Sequence, residues 1–179
     1  AFFRVALSAK AVPDVRKERL EIRRRLLFPS QPKPDMDKPK PRIGIVKDSA
    51  FQFYYPENIA ALCSAGAQIV FLSLLDEIPF PPVDALYIGG GFPETHAERL
   101  AQNTIHKEKI KFWVERGLPV YAECGGLMYL GNSMVLGETS YPMAGILPIV
   151  FGFSKKPQGH GYSIAVVEKK TPYFAVGTQ

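Results

Sequence analysis

A cysteine followed by two glycines closes a short apolar run in Leu118-Pro119-Val120-Tyr121-Ala122-Glu123-Cys124-Gly125-Gly126-Leu127-Met128-Tyr129. The run reads as a strand and the residues after the glycines as a helix, so Cys124 falls on a sharp strand-to-helix turn. Such a turn lifts a nucleophile to the carboxyl edge of a sheet, and the helix start favours a thiolate. The logic is that of the serine elbow of hydrolases, with sulfur as the nucleophile. A lone cysteine is often buried and inert; the strand-Cys-Gly-Gly context argues for the reactive reading.

A thiol nucleophile needs a base and a site for the oxyanion. Gly89-Gly90-Gly91 follows the apolar run Ala85-Leu86-Tyr87-Ile88 and could offer consecutive N–H groups. It is neither a Walker A loop, lacking Gly-Lys-Ser/Thr, nor a Gly-x-Gly-x-x-Gly dinucleotide site. A plain tight turn is the competing reading. The bases available are His96, His106 and His160. His106 stands beside Lys107-Glu108-Lys109 and is expected to be solvated. His96 falls at a helix start near the correct edge, and His160 lies in the loop Gln158-Gly159-His160-Gly161-Tyr162. Glu123 precedes Cys124, so alternation along the strand turns its side chain away from the thiol. No Cys/His spacing for zinc and no paired-carboxylate signature is present.

The elements that must position these residues alternate in type. Ile43-Gly44-Ile45-Val46 reads as a buried strand, 56–65 as a helix stopped by Gly66, and 68–72 as a second strand. Ile59, Ala60 and Leu62 mark that helix's apolar face, and Cys63 reads as a small core residue. Residues 85–88 form a third strand, 94–101 and 104–116 two helices, and 119–122 a fourth strand. This alternation predicts an α/β fold with a doubly wound, mostly parallel sheet. Beyond Gly131, short segments at Met134–Leu136, Met143–Ile149 and Tyr162–Val167 predict a hairpin-rich β extension at one sheet edge. In such sheets chemistry sits beyond the strands' carboxyl ends. Three features fall there: Asp48 with Phe51, Phe53, Tyr54 and Tyr55; the run Gly89 to Glu94; and Cys124.

Upstream, 14–28 reads as a helix behind Pro13 and Asp14. Five prolines between Phe28 and Pro41 predict an extended linker, so the domain proper starts at Arg42. Nine Lys and Arg residues lie between Arg16 and Lys40 against four acidic ones, a surplus equal to the net charge of +5. Phe28 is the one aromatic residue among them, so a solvated helix and linker is preferred to a nucleic-acid patch. Hydrophobic content of 46% and charge content of 22% over 179 residues suit a soluble globular domain. No apolar run approaches the ~20 residues of a membrane span. Two cysteines make no disulfide framework and point to a reducing, cytoplasmic setting. The first residue is Ala, so a fragment or a processed chain is expected.

From about Arg42 onward the chain resembles the glutamine amidotransferase domain of cobyrinic acid a,c-diamide synthases and the related nickel-sirohydrochlorin a,c-diamide synthases. Four motifs in order carry the resemblance: Asp48-Ser49-Ala50-Phe51-Gln52-Phe53-Tyr54-Tyr55-Pro56-Glu57-Asn58; Leu86-Tyr87-Ile88-Gly89-Gly90-Gly91-Phe92-Pro93-Glu94; Tyr121-Ala122-Glu123-Cys124-Gly125-Gly126-Leu127-Met128-Tyr129-Leu130; and Pro157-Gln158-Gly159-His160-Gly161-Tyr162. The cobyric acid synthase branch shares the cysteine elbow, but the Phe-x-Phe-Tyr-Tyr and Gly-Gly-Gly-Phe-Pro-Glu forms look more like the a,c-diamide branch.

The resemblance implies a class I amidotransferase (flavodoxin-like) fold, with Cys124 attacking glutamine and the backbone near Gly90, Gly91 and Gly125 holding the oxyanion. Glu94 and His160 are secondary candidates. It also implies that the ammonia serves ATP-dependent amidation of the a and c acetates of a corrinoid or sirohydrochlorin-type tetrapyrrole. ATP and magnesium are expected in a preceding domain, of which 1–41 would be the last helix and linker. Residues 42–179 would be the amidotransferase domain, incomplete at its C-terminus. The family's histidine lies in a Gly-His-Glu-Phe-His-Tyr-Ser motif that has no counterpart here, and His160 does not match it. Little glutaminase turnover is therefore expected from this chain alone. No metal site, membrane contact or nucleic-acid partner is expected, and a homodimer is left open. The alternatives are a flavodoxin-like cysteine hydrolase using His96 or His160, and an interaction module with a structural Cys124.

Overall fold

The structure, a computed structural model, describes residues 39–154, 164–169 and 174–178. The expected helix at 14–28, most of the proline linker and the loop containing His160 lie outside the described residues. Two compact units divide the chain, one of them running from Pro32 to Phe153. That unit contains all the regular elements described below.

Four short apolar runs form one parallel sheet in the order β2-β1-β3-β4: β1 (Arg42–Val46), β2 (Gln68–Leu72), β3 (Ala85–Ile88) and β4 (Val120–Ala122). Helix α1 (Pro56–Ser64) joins β1 to β2, with Pro56 in its first turn. Gly66 lies just past its end at φ +94°, where a Cβ would be strained. The order reverses at β1, since β2 lies on one side of it and β3 on the other. The loops leaving β1 and β3 therefore meet at a topological switch point.

Between β3 and β4 run a 3₁₀ turn (Pro93–His96), α2 (Ala97–Gln102) and α3 (Thr104–Glu115). The expected helix at 94–101 thus begins as a 3₁₀ turn. Side chains alternate across the strands. Val46, Leu72, Leu86 and Ile88 turn to one face and join Leu100 and Ile110 in the buried core. The opposite face carries Phe71, Tyr87 and Tyr121. Helix α1 contributes no buried residue, and Phe71 and Tyr121 remain more than half exposed.

Past β4, α4 (Gly125–Leu130) leads to β5 (Ser133–Leu136), β6 (Thr139–Pro142) and β7 (Val150–Gly152). These strands form a separate three-stranded sheet, β6-β5-β7, rather than an extension of the main sheet's edge. Residues 143–149, expected as a strand, instead wrap the end of α4. The amides of Ala144, Ile146 and Leu147 donate to the carbonyls of Tyr129 and Leu130, at 3.0, 3.0 and 2.9 Å. A short helix leaves its last carbonyls without intrahelical partners, and this segment supplies them. Of the segment expected as a strand at 162–167, the first two residues lie outside the description and 164–167 form none. In the second unit, the amide of Val167 donates to Thr178 and that of Gly177 to Val167, each at 2.9 Å.

Two side chains differ from expectation. Cys63 is exposed, because α1 covers the sheet only lightly. His106 is fully buried rather than solvated. It shares a helix face with Ile110 and Trp113, stacks on Phe80 at 4.0 Å, and sets Nε2 2.6 Å from the Asp76 carbonyl. Burial pushes its pKa down. With Asn103 donating to the Leu74 and Asp76 carbonyls and Lys109 to that of Phe80, it fastens the β2–β3 loop to α3.

Candidate active site

Cys124 is the hinge between β4 and α4. Its backbone lies at φ +50°, ψ −116°, and among the described residues it alone combines a side chain with positive φ. A β-carbon in that region is crowded, so the conformation persists only where the surroundings impose it. The thiol is exposed. The sequence-predicted nucleophile therefore occupies a strained, solvent-accessible elbow.

The surroundings that impose it are backbone. The Gly126 amide donates to the Gly89 carbonyl at 3.0 Å and to that of Glu123 at 2.9 Å, pulling α4 down onto the end of β3. A Cβ on Gly126 would run into the Ile88 carbonyl, and one on Gly125 would lie 2.8 Å from Pro93 Cδ. Only glycines permit this approach.

The glycine loop lies directly alongside. A Cβ position on Gly90 is 3.5 Å from Cys124 Cβ, and one on Gly125 is 3.2 Å from the Gly91 nitrogen. Gly90, Gly91, Gly125 and Cys124, chosen from the sequence, thus come together. Gly91 is hemmed in by the Ala50 carbonyl from the loop after β1. Phe53 adds a bridge, its amide donating to the Gly90 carbonyl at 3.0 Å.

Asp48 accounts for the shape of that loop. One carboxylate oxygen accepts from the amides of Ala50 (2.8 Å) and Phe51 (3.2 Å), and the other from the Leu74 amide (2.8 Å) and Ser73 Oγ (3.3 Å). It is occupied as a tether between the loops after β1 and β2. Phe51 is buried in the core, whereas Phe53 and Phe92 form an exposed edge-to-face pair at 5.1 Å.

The remaining candidates divide. Glu94 and His96 are half-buried in the 3₁₀ turn, which packs on α4. His106 is engaged in the β2–β3 loop on α3 and is withdrawn as a base. His160 lies outside the described residues. Among the described residues no three His, Cys, Asp or Glu side chains gather as a metal site. None of the helices described is long and apolar enough to cross a membrane.

Sequence reasoning missed a tyrosine frame. The Tyr87 hydroxyl donates to Glu123 Oε1 at 2.6 Å, and that of Tyr121 approaches Oε2 at 3.4 Å. Tyr54 donates to the Val46 carbonyl and accepts from the Gly89 amide at 2.9 Å. The three rings run edge to face, Tyr54 to Tyr87 and Tyr87 to Tyr121, each at 5.1 Å. Burial, then the hydrogen bond to Glu123, pushes the Tyr87 phenol up to about 12. It stays a neutral donor at physiological pH. The i, i+2 spacing of Tyr121 and Glu123 was the available signal.

A family model for the CobB/CobQ-like glutamine amidotransferase domain matches residues 42–173. The chain belongs to this family. The fold agrees with a flavodoxin-like amidotransferase: a parallel sheet, a cysteine elbow after β4 and a glycine loop after β3. Curated relatives of this amidotransferase domain are named cobyrinate a,c-diamide synthase. That of Magnetococcus marinus is 50% identical over 121 residues, 68% of this chain and 26% of the relative. That of Archaeoglobus fulgidus is 45% identical over 132 residues, 74% and 29%. That of Methanosphaera stadtmanae is 41% identical over 145 residues, 81% and 31%. The chain therefore spans about a quarter to a third of the length of these relatives.

Proposed function

We propose that this amidotransferase domain hydrolyses glutamine at Cys124 and supplies ammonia for ATP-dependent amidation of the a and c acetate groups of a corrinoid or sirohydrochlorin-type tetrapyrrole. The observation that carries the reading is the exposed cysteine at φ +50° beside the glycine loop. Cys124 Sγ bonds to the side-chain carbonyl carbon of glutamine, and negative charge gathers on the oxygen. The backbone of Gly90, Gly91 and Gly125 is assigned to that oxyanion. The carbon–nitrogen bond then breaks, ammonia leaves carrying the thiol's proton, and a thioester remains. Water cleaves the thioester, releasing glutamate and restoring the thiol.

The described residues do not fit ATP or magnesium: no acidic cluster is present, and no Lys-Ser/Thr follows the glycine loop. The ATP-dependent step and the tetrapyrrole contacts are assigned to a separate synthetase domain. Two free, exposed thiols suit a reducing, cytoplasmic setting.

The test is covalent labelling of the chain with a diazoketone analogue of glutamine, followed by peptide mass spectrometry. The expected result is modification of Cys124 and not Cys63, with protection by glutamine. Equal labelling of both cysteines, or none at Cys124, overturns the reading. Acylation of Cys124 by simple esters without the glutamine analogue would favour the hydrolase alternative.

A further inference from the structure

We propose that Glu123 is a positioning residue for Cys124, clamped by Tyr87 and Tyr121 so that the strained elbow keeps its shape. The inference rests on the reading of Cys124 as the nucleophile. Glu123 is the last residue before the strain, and its carboxylate is gripped from the face opposite the core. Its amide donates to the Ile88 carbonyl at 3.1 Å, so both side chain and backbone are fixed to β3. Residue 124 can then relax only by moving α4, which Gly126 ties to Gly89.

The same frame reaches the other half of the site. Tyr87 stands between Tyr54, which holds the Gly89 amide, and Tyr121. One tyrosine ladder thereby sets the glycine loop and the thiol at a fixed separation. Charge-assisted hydrogen bonds of this kind are short and directional, as positioning requires. Glu123 touches no reacting atom in this scheme and acts through Cys124.

The chain carries its own control, since its only two cysteines are both exposed. The experiment measures the ratio of iodoacetamide alkylation rates at Cys124 and Cys63 in the full chain. Glu123→Ala is expected to lower that ratio about fivefold or more, because the unclamped elbow relaxes. Glu123→Gln keeps an acceptor for Tyr87 and is expected to stay within about threefold of the parent. Tyr87→Phe, with a smaller perturbation of packing, should fall between them. If Glu123→Ala loses the far-UV circular dichroism of the parent, Tyr87→Phe alone decides. An unchanged ratio in Glu123→Ala or, where that variant is unfolded, in Tyr87→Phe overturns the proposal. So does a Glu123→Gln ratio as low as that of Glu123→Ala, which would make charge rather than geometry the cause. The diazoketone arm separates the two readings: failure to label the parent sinks the glutamine assignment, while the alkylation ratio still judges the clamp.

Discussion

Replacing Gly126 with alanine sets two effects against each other at one atom. Alanine in place of glycine favours a helix by about 1 kcal/mol. The added Cβ, however, would lie 2.8 Å from the carbonyl carbon of Ile88 and 3.0 Å from the Gly89 oxygen, and closer still to the Ile88 oxygen. These are backbone atoms of a central strand, and Ile88 is fully buried, so nothing can rotate aside. Helix α4 must back away, stretching the 3.0 Å bond from the Gly126 amide to Gly89. Overpacking costs about 1–3 kcal/mol and a weakened buried hydrogen bond about 1–3 more. After the helix gain, a net loss of about 1–5 kcal/mol remains. For a chain of this size that is a fall in Tm of roughly 2–20 °C. Thermal unfolding followed by circular dichroism reads it, with Gly152→Ala as control, since open space surrounds that Cβ position. A Gly126→Ala protein that melts at or above the parent would refute the steric reasoning.

Tyr129 is fully buried and its hydroxyl has no hydrogen-bond partner among the described residues. Tyr129→Phe keeps the edge-to-face contact with Phe51 and removes the unsatisfied oxygen, so stability should rise by about 1 kcal/mol. A lower urea midpoint would contradict this. His106 has its pKa lowered by burial, so the unfolded chain takes up the proton first as pH drops. Its contribution is complete above the unfolded value of 6.5 and is lost as pH falls from there towards the folded value. In His106→Gln, the loss of stability between pH 6.5 and about 5 should be shallower than in the parent; an identical slope would assign the titration elsewhere.

The sheet and elbow were legible because three of the four strands are short apolar runs closed by glycines or a charge. Ile43 to Val46 ends at Lys47, Ala85 to Ile88 at three glycines, and Val120 to Ala122 at the cysteine turn. Residues 143–149 were misread because apolar composition marks burial, not conformation. Met143 and Ala144 are buried as expected, but the amides of 144, 146 and 147 face the end of a helix instead of a strand. His106 was misjudged by its neighbours in sequence; its neighbours on the helix face, Ile110 and Trp113, were the relevant ones. The tyrosine frame was hidden for a different reason. It joins side chains from three strand-end segments, and only the register of Tyr87 against Tyr121 brings them together.

The conformation of Cys124 has a consequence for how this sequence can change. A backbone at φ +50° costs a residue with a side chain about 1–3 kcal/mol, a penalty that glycine escapes. Selection for thermal tolerance alone would therefore favour Cys124→Gly, a single substitution that relieves the strain and removes the nucleophile proposed above. With Cys124 as the nucleophile proposed above, this position sets durability against chemistry. A population of this protein freed from the proposed demand for ammonia should lose the thiol early, while the sheet persists.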